Sequence, residues 1–205
     1  MENRQLSHGQ LVEAKTLQPT PKGADLTSTI FEDYDTVVFD LDGTLWDVFT
    51  PDGRATGAYQ AVPPFQLQSK YLVRALNGVI IRLQEGAWDV LNALDQADKN
   101  LGIVSRSEIQ GVPFAAQPAT MLLKIFRIYR YFNSYIELKW GCDKADYVKA
   151  VGKTLYIDDD NTQLQSVNAL GPIDVLNRRS FGTWSQLLAP KQDSLNLNMA
   201  ERTGL

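Results

Sequence analysis

The sequence predicts an α/β protein whose helices cover both faces of a central parallel sheet. Short apolar runs alternate along the chain with amphipathic segments of helical periodicity, the order expected of parallel strands joined by helices. The first run, TVVFDLD (36–42), is β-branched and apolar, which is typical of a strand buried on both faces. The 205 residues suffice for one domain with a real core, and the 44% hydrophobic and 21% charged residues make a globular composition.

Four more strands and four helices are predicted after the first strand. The strands are LGIVSRS (101–107), YIELK (135–139), which has a weaker pattern, TLYIDDD (154–160) and IDVLNR (173–178). The helices are GAWDVLNALDQA (86–97), PATMLLKIFRIY (118–129), DKADYVKAV (143–151) and NTQLQSVNAL (161–170). Gly171 and Pro172 stop the last helix. Because the connection from 106 to 135 has the size of one helix, no large cap domain is expected.

The segment from Phe49 to Glu85 breaks this alternation. It contains the turn-rich PDGRATG, the extended VPPF, and two apolar runs in KYLVRALNGVIIRL. The Asn77-Gly78 pair between those runs is a strong signal for a two-residue hairpin. We therefore predict a β-hairpin flap at about 49–85, inserted directly after the first strand and lying over the site formed by the strand ends.

Both ends of the chain are predicted to lie outside the folded domain, which spans 34–190. Residues 1–33 are polar and are predicted to form a flexible extension, and residues 191–205 a C-terminal tail. The first twenty residues lack a hydrophobic signal core, and no apolar run approaches the roughly 18 residues of a membrane span. A cytoplasmic protein is therefore expected.

Charge and two rare residue types argue against several functions. A net charge of −4 and a pI near 5.0 provide no global basic field for nucleic acid. The single cysteine, Cys142, excludes an internal disulfide and a cysteine-rich zinc site. The single histidine, His8, lies in a polar stretch, which argues against Ser-His-Asp and Cys-His catalysis.

Polar side chains follow the predicted strands, at the edge where open α/β sheets bind ligands. Two carboxylates at the end of an apolar strand repel, and burying them is costly unless they are paired or bound to a metal. Carboxylates from two strands suit Mg²⁺, and a hydroxyl with a lysine suits a phosphate, so together they indicate phosphoryl transfer. One of the first two aspartates can then act as nucleophile and the other as general acid. The residues concerned are Asp40, Asp42, Thr44, Ser105, Arg106, Ser107, Lys144, Asp158 and Asp159. Asp160 is interpreted as a helix cap rather than a ligand.

Four motifs resemble those of the haloacid dehalogenase (HAD) superfamily. DLDGTLWD (40–47) is similar to its D-x-D-G-T-L nucleophile motif, and Ser105, Lys144 and the Asp158-Asp159 pair follow in the order of its other three. Within that superfamily the chain looks like the magnesium-dependent phosphatase family (subfamily IIIC, acid phosphatase-like). The similar pieces are VPPF with the following hairpin, SRSEIQG (105–111), IELKWGCDK (136–144) and YIDDDN (156–161), and the resemblance covers roughly 34–185.

The resemblance implies a Rossmann-like three-layer α/β/α sandwich and a role for each matching residue. Asp40 would be the nucleophile and a Mg²⁺ ligand, and Asp42 would be the general acid/base and give the metal its backbone carbonyl. Ser105 would hydrogen-bond the phosphoryl group, Arg106 would help to bind substrate, and Lys144 would neutralise charge on Asp40 and the phosphate. Asp158 would bind Mg²⁺, and Asp159 would act on the ion directly or through water. The GCDK segment is one residue longer than the family's usual GSK, and Lys139 is the alternative lysine.

The function that the sequence predicts is a Mg²⁺-dependent phosphatase that hydrolyses a phosphomonoester through an aspartyl-phosphate. Its expected substrate is a small phosphorylated metabolite or a phosphorylated protein side chain, with no nucleic-acid or membrane partner. Two alternatives stay open. One is a phosphotransferase or a glyceryl-transfer domain of a biosynthetic pathway, whose thiol chemistry would need Cys142. The other is a non-catalytic phospho-binding module that uses the polar N-terminal residues as a docking tail.

Overall fold

The computed structural model describes residues 25–190, which form two β-sheets and three α-helices. The strands are β1 (Thr36–Phe39), β2 (Trp46–Phe49), β3 (Ala55–Thr56), β4 (Phe65–Ser69), β5 (Leu72–Ala75), β6 (Ile80–Leu83), β7 (Asn100–Ser105), β8 (Ser134–Glu137), β9 (Thr154–Asp158) and β10 (Ile173–Asn177). The helices are α1 (Ala87–Gln96), α2 (Pro118–Ile125) and α3 (Asn161–Asn168). No helix within the described residues is both long and apolar enough to span a membrane.

The central sheet is parallel and has the strand order β10-β9-β1-β7-β8. Its five strands are the five predicted from the apolar runs, which confirms the parallel α/β architecture. The middle strand β1 is buried at all four positions, and its Phe39 lies in register with Ile103 of β7 and Ile157 of β9. Because β1 ends at Phe39, Asp40 and Asp42 lie beyond the ladder, at the carboxyl edge of the sheet.

Alternate side chains of β1 enter two different apolar clusters, one on each face of the sheet. Val37 and Phe39 belong to the larger cluster, which also contains core residues of α1 and α2. Val38 belongs to the smaller cluster with Leu164 and Val167 of α3. This arrangement follows from the two-residue period of a strand, and it places helices on both faces as predicted.

Two predicted helical segments differ from the structure. The helix predicted at 118–129 ends at Ile125, because Arg127 adopts a left-handed conformation with φ of +59°. The helix predicted at 143–151 is wrong: only the single 3₁₀ turn Lys144–Asp146 forms. The Val151 amide donates to the Thr154 hydroxyl, so the loop's backbone bonds to a side chain of β9 instead of continuing a helix.

The predicted hairpin flap is part of a larger structure. Strands β5 and β6 pair as an antiparallel hairpin around Asn77-Gly78, as predicted. Its loop has three residues, 76–78, rather than the predicted two, because the Ala75 amide donates to the Val79 carbonyl at 2.8 Å. They belong, however, to a five-stranded antiparallel sheet of order β3-β2-β6-β5-β4 that begins at Trp46 rather than at residue 49. The additional strands gave little sequence signal, since β3 has two residues and four of the five residues of β4 are exposed.

The chain is already packed before residue 34. Leu26 and Phe31 are buried, Phe31 completely, and the Asp35 amide donates to the Lys153 carbonyl at 2.8 Å. Residues 25–33 of the predicted polar extension therefore lie against the domain. The remainder of that extension, residues 1–24, and the predicted tail at 191–205 fall outside the described residues.

Candidate functional site

The strand ends form one side of a cleft of about 600 Å³ at the carboxyl edge of the parallel sheet. Strand β3, Gly57 and Tyr59 of the following 3₁₀ turn form the other side, so the antiparallel sheet does contribute to covering the site. Seven of the nine candidate residues line this cleft: Asp40, Asp42, Ser105, Arg106, Lys144, Asp158 and Asp159. The other two, Thr44 and Ser107, are buried but do not line it. Ser105, at the end of β7, is 2% exposed.

A buried lysine joins the two innermost carboxylates. Lys144 Nζ donates to Asp40 Oδ1 at 2.6 Å and to Asp158 Oδ2 at 2.7 Å, and the residue is only 2% exposed. Lys139, the alternative lysine, is exposed. Lys144 begins a single 3₁₀ turn, which Asp143 caps by accepting from the Ala145 amide.

The shared cation leaves the cluster with an excess of negative charge. Burial raises the pKa of Asp40 to about 7, since Lys144, which acts in the opposite direction, is shared with Asp158. Burial alone would lower the pKa of Lys144, but the two carboxylates outweigh it and raise that pKa. Lys144 is therefore protonated at neutral pH, and a further cation beside these carboxylates would be stabilising.

Three carboxylates are placed to hold a metal ion. Oxygen atoms of Asp40, Asp158 and Asp159 all lie within 4.8 Å of one another, and the first two residues are buried. A set of carboxylate oxygens is the ligand type that Mg²⁺ prefers, so the donors fit the predicted metal. The side chain of Asp42 is not in this group.

Asp42 is held by a tight turn that the D-G-T-L sequence forms. Its Oδ1 accepts from Trp46 Nε1 at 2.7 Å, and its Oδ2 accepts from the Ala58 amide at 2.9 Å. The Gly43 amide closes the turn on the Trp46 carbonyl at 2.8 Å. Burial raises the pKa of Asp42, although both hydrogen bonds oppose the shift. A carboxyl group with a raised pKa suits proton donation near neutral pH.

Glycine is predicted to be required at position 43 for two reasons, its backbone conformation and the side chain that lies against it. Its φ is +79°, and a Cβ there would lie 2.6 Å from Asp159 Oδ2. Gly43→Ala is expected to lower the free energy of unfolding by about 1–2 kcal/mol and to weaken Mg²⁺ binding by displacing Asp159. Urea unfolding and the rise in Tm on adding Mg²⁺ measure the two effects.

Gly111→Ala is the matched control for Gly43→Ala. Its φ is +80°, but nothing lies within 4 Å of the added Cβ. It should show the backbone strain without the loss of Mg²⁺ binding. Equal Mg²⁺ responses in the two variants would contradict the proposed contact between position 43 and Asp159.

Two arginines occupy the walls of the cleft. Arg106 Nη2 lies 2.8 Å from Asp160 Oδ2, and its guanidinium carbon lies 4.9 Å from the centre of the Trp140 ring. Asp160 also accepts from the Thr162 amide, so it caps α3 as predicted. Arg179 Nη2 lies 2.7 Å from Asp159 Oδ2. Arg106 is thus engaged by protein groups rather than projecting alone into the cleft.

Several residues of the site were not identified from the sequence. The Tyr156 hydroxyl donates to Asp158 Oδ2, and the two-residue period of β9 could have indicated this pair. Tyr59, Trp140 and Arg179 also line the cleft, but each lies outside the central strands, where no local pattern points to a function.

Glu137 forms a polar cluster beside the cleft, paired in register with Ser105. Its Oε1 accepts from the Tyr135 hydroxyl at 2.7 Å and from the Ser107 hydroxyl at 3.1 Å. Its Oε2 is buried without a hydrogen-bond partner among residues 25–190. Burial raises the pKa of Glu137 to about 7, with Glu108 adding to the shift and the two hydroxyls opposing it.

Glu137 is expected to make stability depend on pH. Its raised pKa means that the folded state favours the protonated carboxyl. The contribution of Glu137 to the free energy of unfolding is therefore complete below its ordinary pKa of 4.5, and it is lost as pH rises through about 7. The free energy of unfolding of the wild type should therefore fall with rising pH, and Glu137→Gln should reduce this fall by up to about 3 kcal/mol between pH 4.5 and 8. Urea unfolding across that range in EDTA measures it, with the exposed Glu85→Gln as control. Parallel curves for wild type and Glu137→Gln would refute the assignment.

Comparison with known proteins finds similarity to solved structures. No family model and no curated protein matches the chain. A crystal structure of a candidate phosphatase from Clostridium difficile is similar over 78% of this chain and 93% of that chain, with 15% sequence identity and a TM-score of 0.47. A similarity this low carries no argument about activity, and the chemistry of the cleft follows from its own side chains.

Proposed function

We propose that this chain is a Mg²⁺-dependent phosphatase of the haloacid dehalogenase type, acting on a phosphomonoester. The observation that carries the proposal is the buried Lys144 bridging Asp40 and Asp158, with Asp159 completing a group of carboxylates that can hold a metal ion. A surface turn with a purely structural role does not need a buried cation between two buried acids. A site that binds an anionic phosphoryl group does need such a positive charge.

In the proposed reaction, Asp40 and Asp42 divide the chemistry. A carboxylate oxygen of Asp40 attacks phosphorus, and the bond to the ester oxygen breaks as Asp42 protonates that oxygen. Asp42 then removes a proton from water, which attacks the aspartyl-phosphate and releases inorganic phosphate and free Asp40. Both residues thus return to their starting states.

The other residues of the cleft bind and neutralise the phosphoryl group. Lys144 offsets charge on Asp40 and the phosphate, and Ser105 supplies a hydroxyl to a phosphate oxygen. Asp40, Asp158 and Asp159 would hold Mg²⁺, with the Asp42 carbonyl as a further ligand. When bound, the ion supplies positive charge for the phosphate oxygens. The expected substrates remain a small phosphorylated metabolite or a phosphorylated protein side chain.

The glyceryl-transfer alternative has no comparable support, because the thiol that it would need, Cys142, packs against the smaller apolar cluster and does not line the cleft. A pure binding module would not need the proton-donor environment around Asp42. Phosphate hydrolysis is therefore the function favoured for the 34–190 domain.

The decisive experiment measures phosphate release from 4-nitrophenyl phosphate in Mg²⁺, in EDTA, and in EDTA followed by excess Mg²⁺. Release is expected in the first and third conditions and absent in the second. Release that persists in EDTA would exclude the proposed metal requirement, and no release in any condition would exclude phosphatase activity on this ester.

Adjacent acids provide a matched test of the ligand set. Asp159→Asn should raise the Mg²⁺ concentration for half-maximal activity by about 10- to 100-fold. Asp160→Asn alters the helix cap and the contact with Arg106, and it is expected to shift this half-maximal Mg²⁺ concentration far less. A larger shift for Asp160→Asn would reverse the roles assigned to these two residues.

A further inference from the structure

Two exposed aromatic rings stand at the rim of the cleft. Tyr59 lies in the 3₁₀ turn Ala58–Gln60, and Trp140 lies in the loop after β8; they are 37% and 67% exposed. Their ring centroids are 6.4 Å apart at an interplanar angle of 87°, an edge-to-face pair. Both residues line the cleft with the acidic cluster. Large apolar surface left in water beside a polar cleft is a feature of binding sites.

The Trp140 ring is held in place although it is exposed. The Arg106 guanidinium carbon lies 4.9 Å from the ring centre, and Arg106 is itself anchored by its 2.8 Å bond to Asp160. A cation over one face and an aromatic partner at the ring orient the side chain before any ligand arrives. A ring positioned in this way can select a ligand without first losing much conformational freedom.

Tyr59 lies next to the carboxylate that would protonate the leaving group. Gly57 separates them: a Cβ at that position would lie 2.9 Å from Asp42 Oδ2 and 2.7 Å from two atoms of the Tyr59 ring. If Asp42 donates its proton to the ester oxygen, the organic part of the substrate must extend on the side of the cleft where Tyr59 stands. This step rests on the proposed phosphatase function.

We propose that Tyr59 and Trp140 form an aromatic rim that selects phosphomonoesters whose organic group carries a flat aromatic ring. A flat ring can pack against these oriented aromatic side chains and gain aromatic contact energy beyond its buried area. Arg106 is a positioning residue in this arrangement, since it acts on the ligand through Trp140. The rim thereby decides which ester is preferred, while the aspartates and Lys144 carry out hydrolysis.

The first experiment compares benzyl phosphate with cyclohexylmethyl phosphate. Both are primary alkyl esters, so the bond that breaks is alike, and they differ in whether the six-membered ring is flat. Simple burial of apolar area favours the bulkier cyclohexyl ring. An aromatic rim should instead give a kcat/KM about three- to tenfold higher for benzyl phosphate. Equal values, or a preference for cyclohexylmethyl phosphate, would overturn the proposal.

Substitutions assign the preference to the rim. Trp140→Leu and Tyr59→Leu keep an apolar side chain but remove the ring, and each should bring the benzyl-to-cyclohexylmethyl ratio close to one. Because the ratio is taken within one variant, any general loss of activity cancels. Tyr71→Leu is the matched control, since Tyr71 is 39% exposed but does not line the cleft, and it should keep the wild-type ratio. A preference that survives in both rim variants would overturn the proposal.

A binding measurement separates this proposal from the proposed reaction. Benzylphosphonate and cyclohexylmethylphosphonate cannot be hydrolysed by this mechanism, so calorimetry with the wild-type chain in Mg²⁺ reports recognition alone. Tighter binding of benzylphosphonate, lost in Trp140→Leu, would support the rim even if neither phosphate ester is hydrolysed, a result that would count against the phosphatase function only. Equal affinities, or binding of neither, would overturn the rim proposal even if both esters are hydrolysed.

Discussion

Replacing Asp40 with asparagine is expected to lower kcat for phosphomonoester hydrolysis by about 10⁴-fold or more. The amide keeps the shape of the side chain and an oxygen that can accept from Lys144, but it lacks the nucleophilic carboxylate that would form the aspartyl-phosphate. Initial rates of phosphate release at saturating Mg²⁺ measure the effect. No rescue by additional Mg²⁺ is expected, because the defect lies in the attacking atom.

Asp47→Asn is the control for that substitution, since Asp47 belongs to the same DLDGTLWD stretch but does not line the cleft. It should retain most of the activity. Circular dichroism and urea unfolding should show that Asp40→Asn is folded. The substitution removes a buried negative charge, so one carboxylate fewer shares the positive charge of Lys144. Residual activity above about a hundredth of wild type would remove Asp40 from the role of nucleophile.

Replacing Lys144 with methionine is expected to have the largest effect on stability. It leaves Asp40 and Asp158 buried without their cation, and breaking a buried ion pair from one side costs about 3–5 kcal/mol. Urea unfolding in EDTA measures this cost. Activity should fall by about 10²- to 10³-fold even in Mg²⁺, since one group that neutralises charge on the phosphate is missing.

Magnesium should partly restore the stability of Lys144→Met, because a cation held by the carboxylates of Asp40, Asp158 and Asp159 offsets the same repulsion. Lys139→Met is the control, and it also tests Lys139 as the alternative to Lys144 of the GCDK segment. As Lys139 is exposed, its loss should change stability by no more than about 0.5 kcal/mol. A larger loss of activity in Lys139→Met than in Lys144→Met would reverse the assignment.

The parallel sheet and the edge that carries the cleft could be predicted from local pattern. An apolar run long enough to be buried on both faces specifies a central strand, and the acids at its end can then lie only at the carboxyl edge. This reasoning placed Asp40, Ser105 and Asp158 correctly at one edge. The hairpin around Asn77-Gly78 was also predictable locally, because turn residues between two apolar runs specify a hairpin. The length of its loop, three residues rather than two, was not.

The identity of the bridging lysine depended on long-range contacts. Lys139 and Lys144 are close in sequence, and nothing local distinguishes them. Lys144 is held inside by carboxylates 104 and 14 positions away. Periodicity reports only which face of an element is apolar, and it carries no signal for a charge whose partners lie on other strands.

The antiparallel sheet and the aromatic rim likewise arise only in three dimensions. In the antiparallel sheet, β3 has only two residues and β4 is largely exposed, so both are stabilised by pairing with neighbours rather than by their own sequences. Tyr59 and Trp140 meet across 81 positions of sequence, where nothing local relates them. Local sequence therefore specified the strands of the parallel sheet and the chemistry of the acids, whereas packing between distant segments specified the partners of those acids and the shape of the cleft around them.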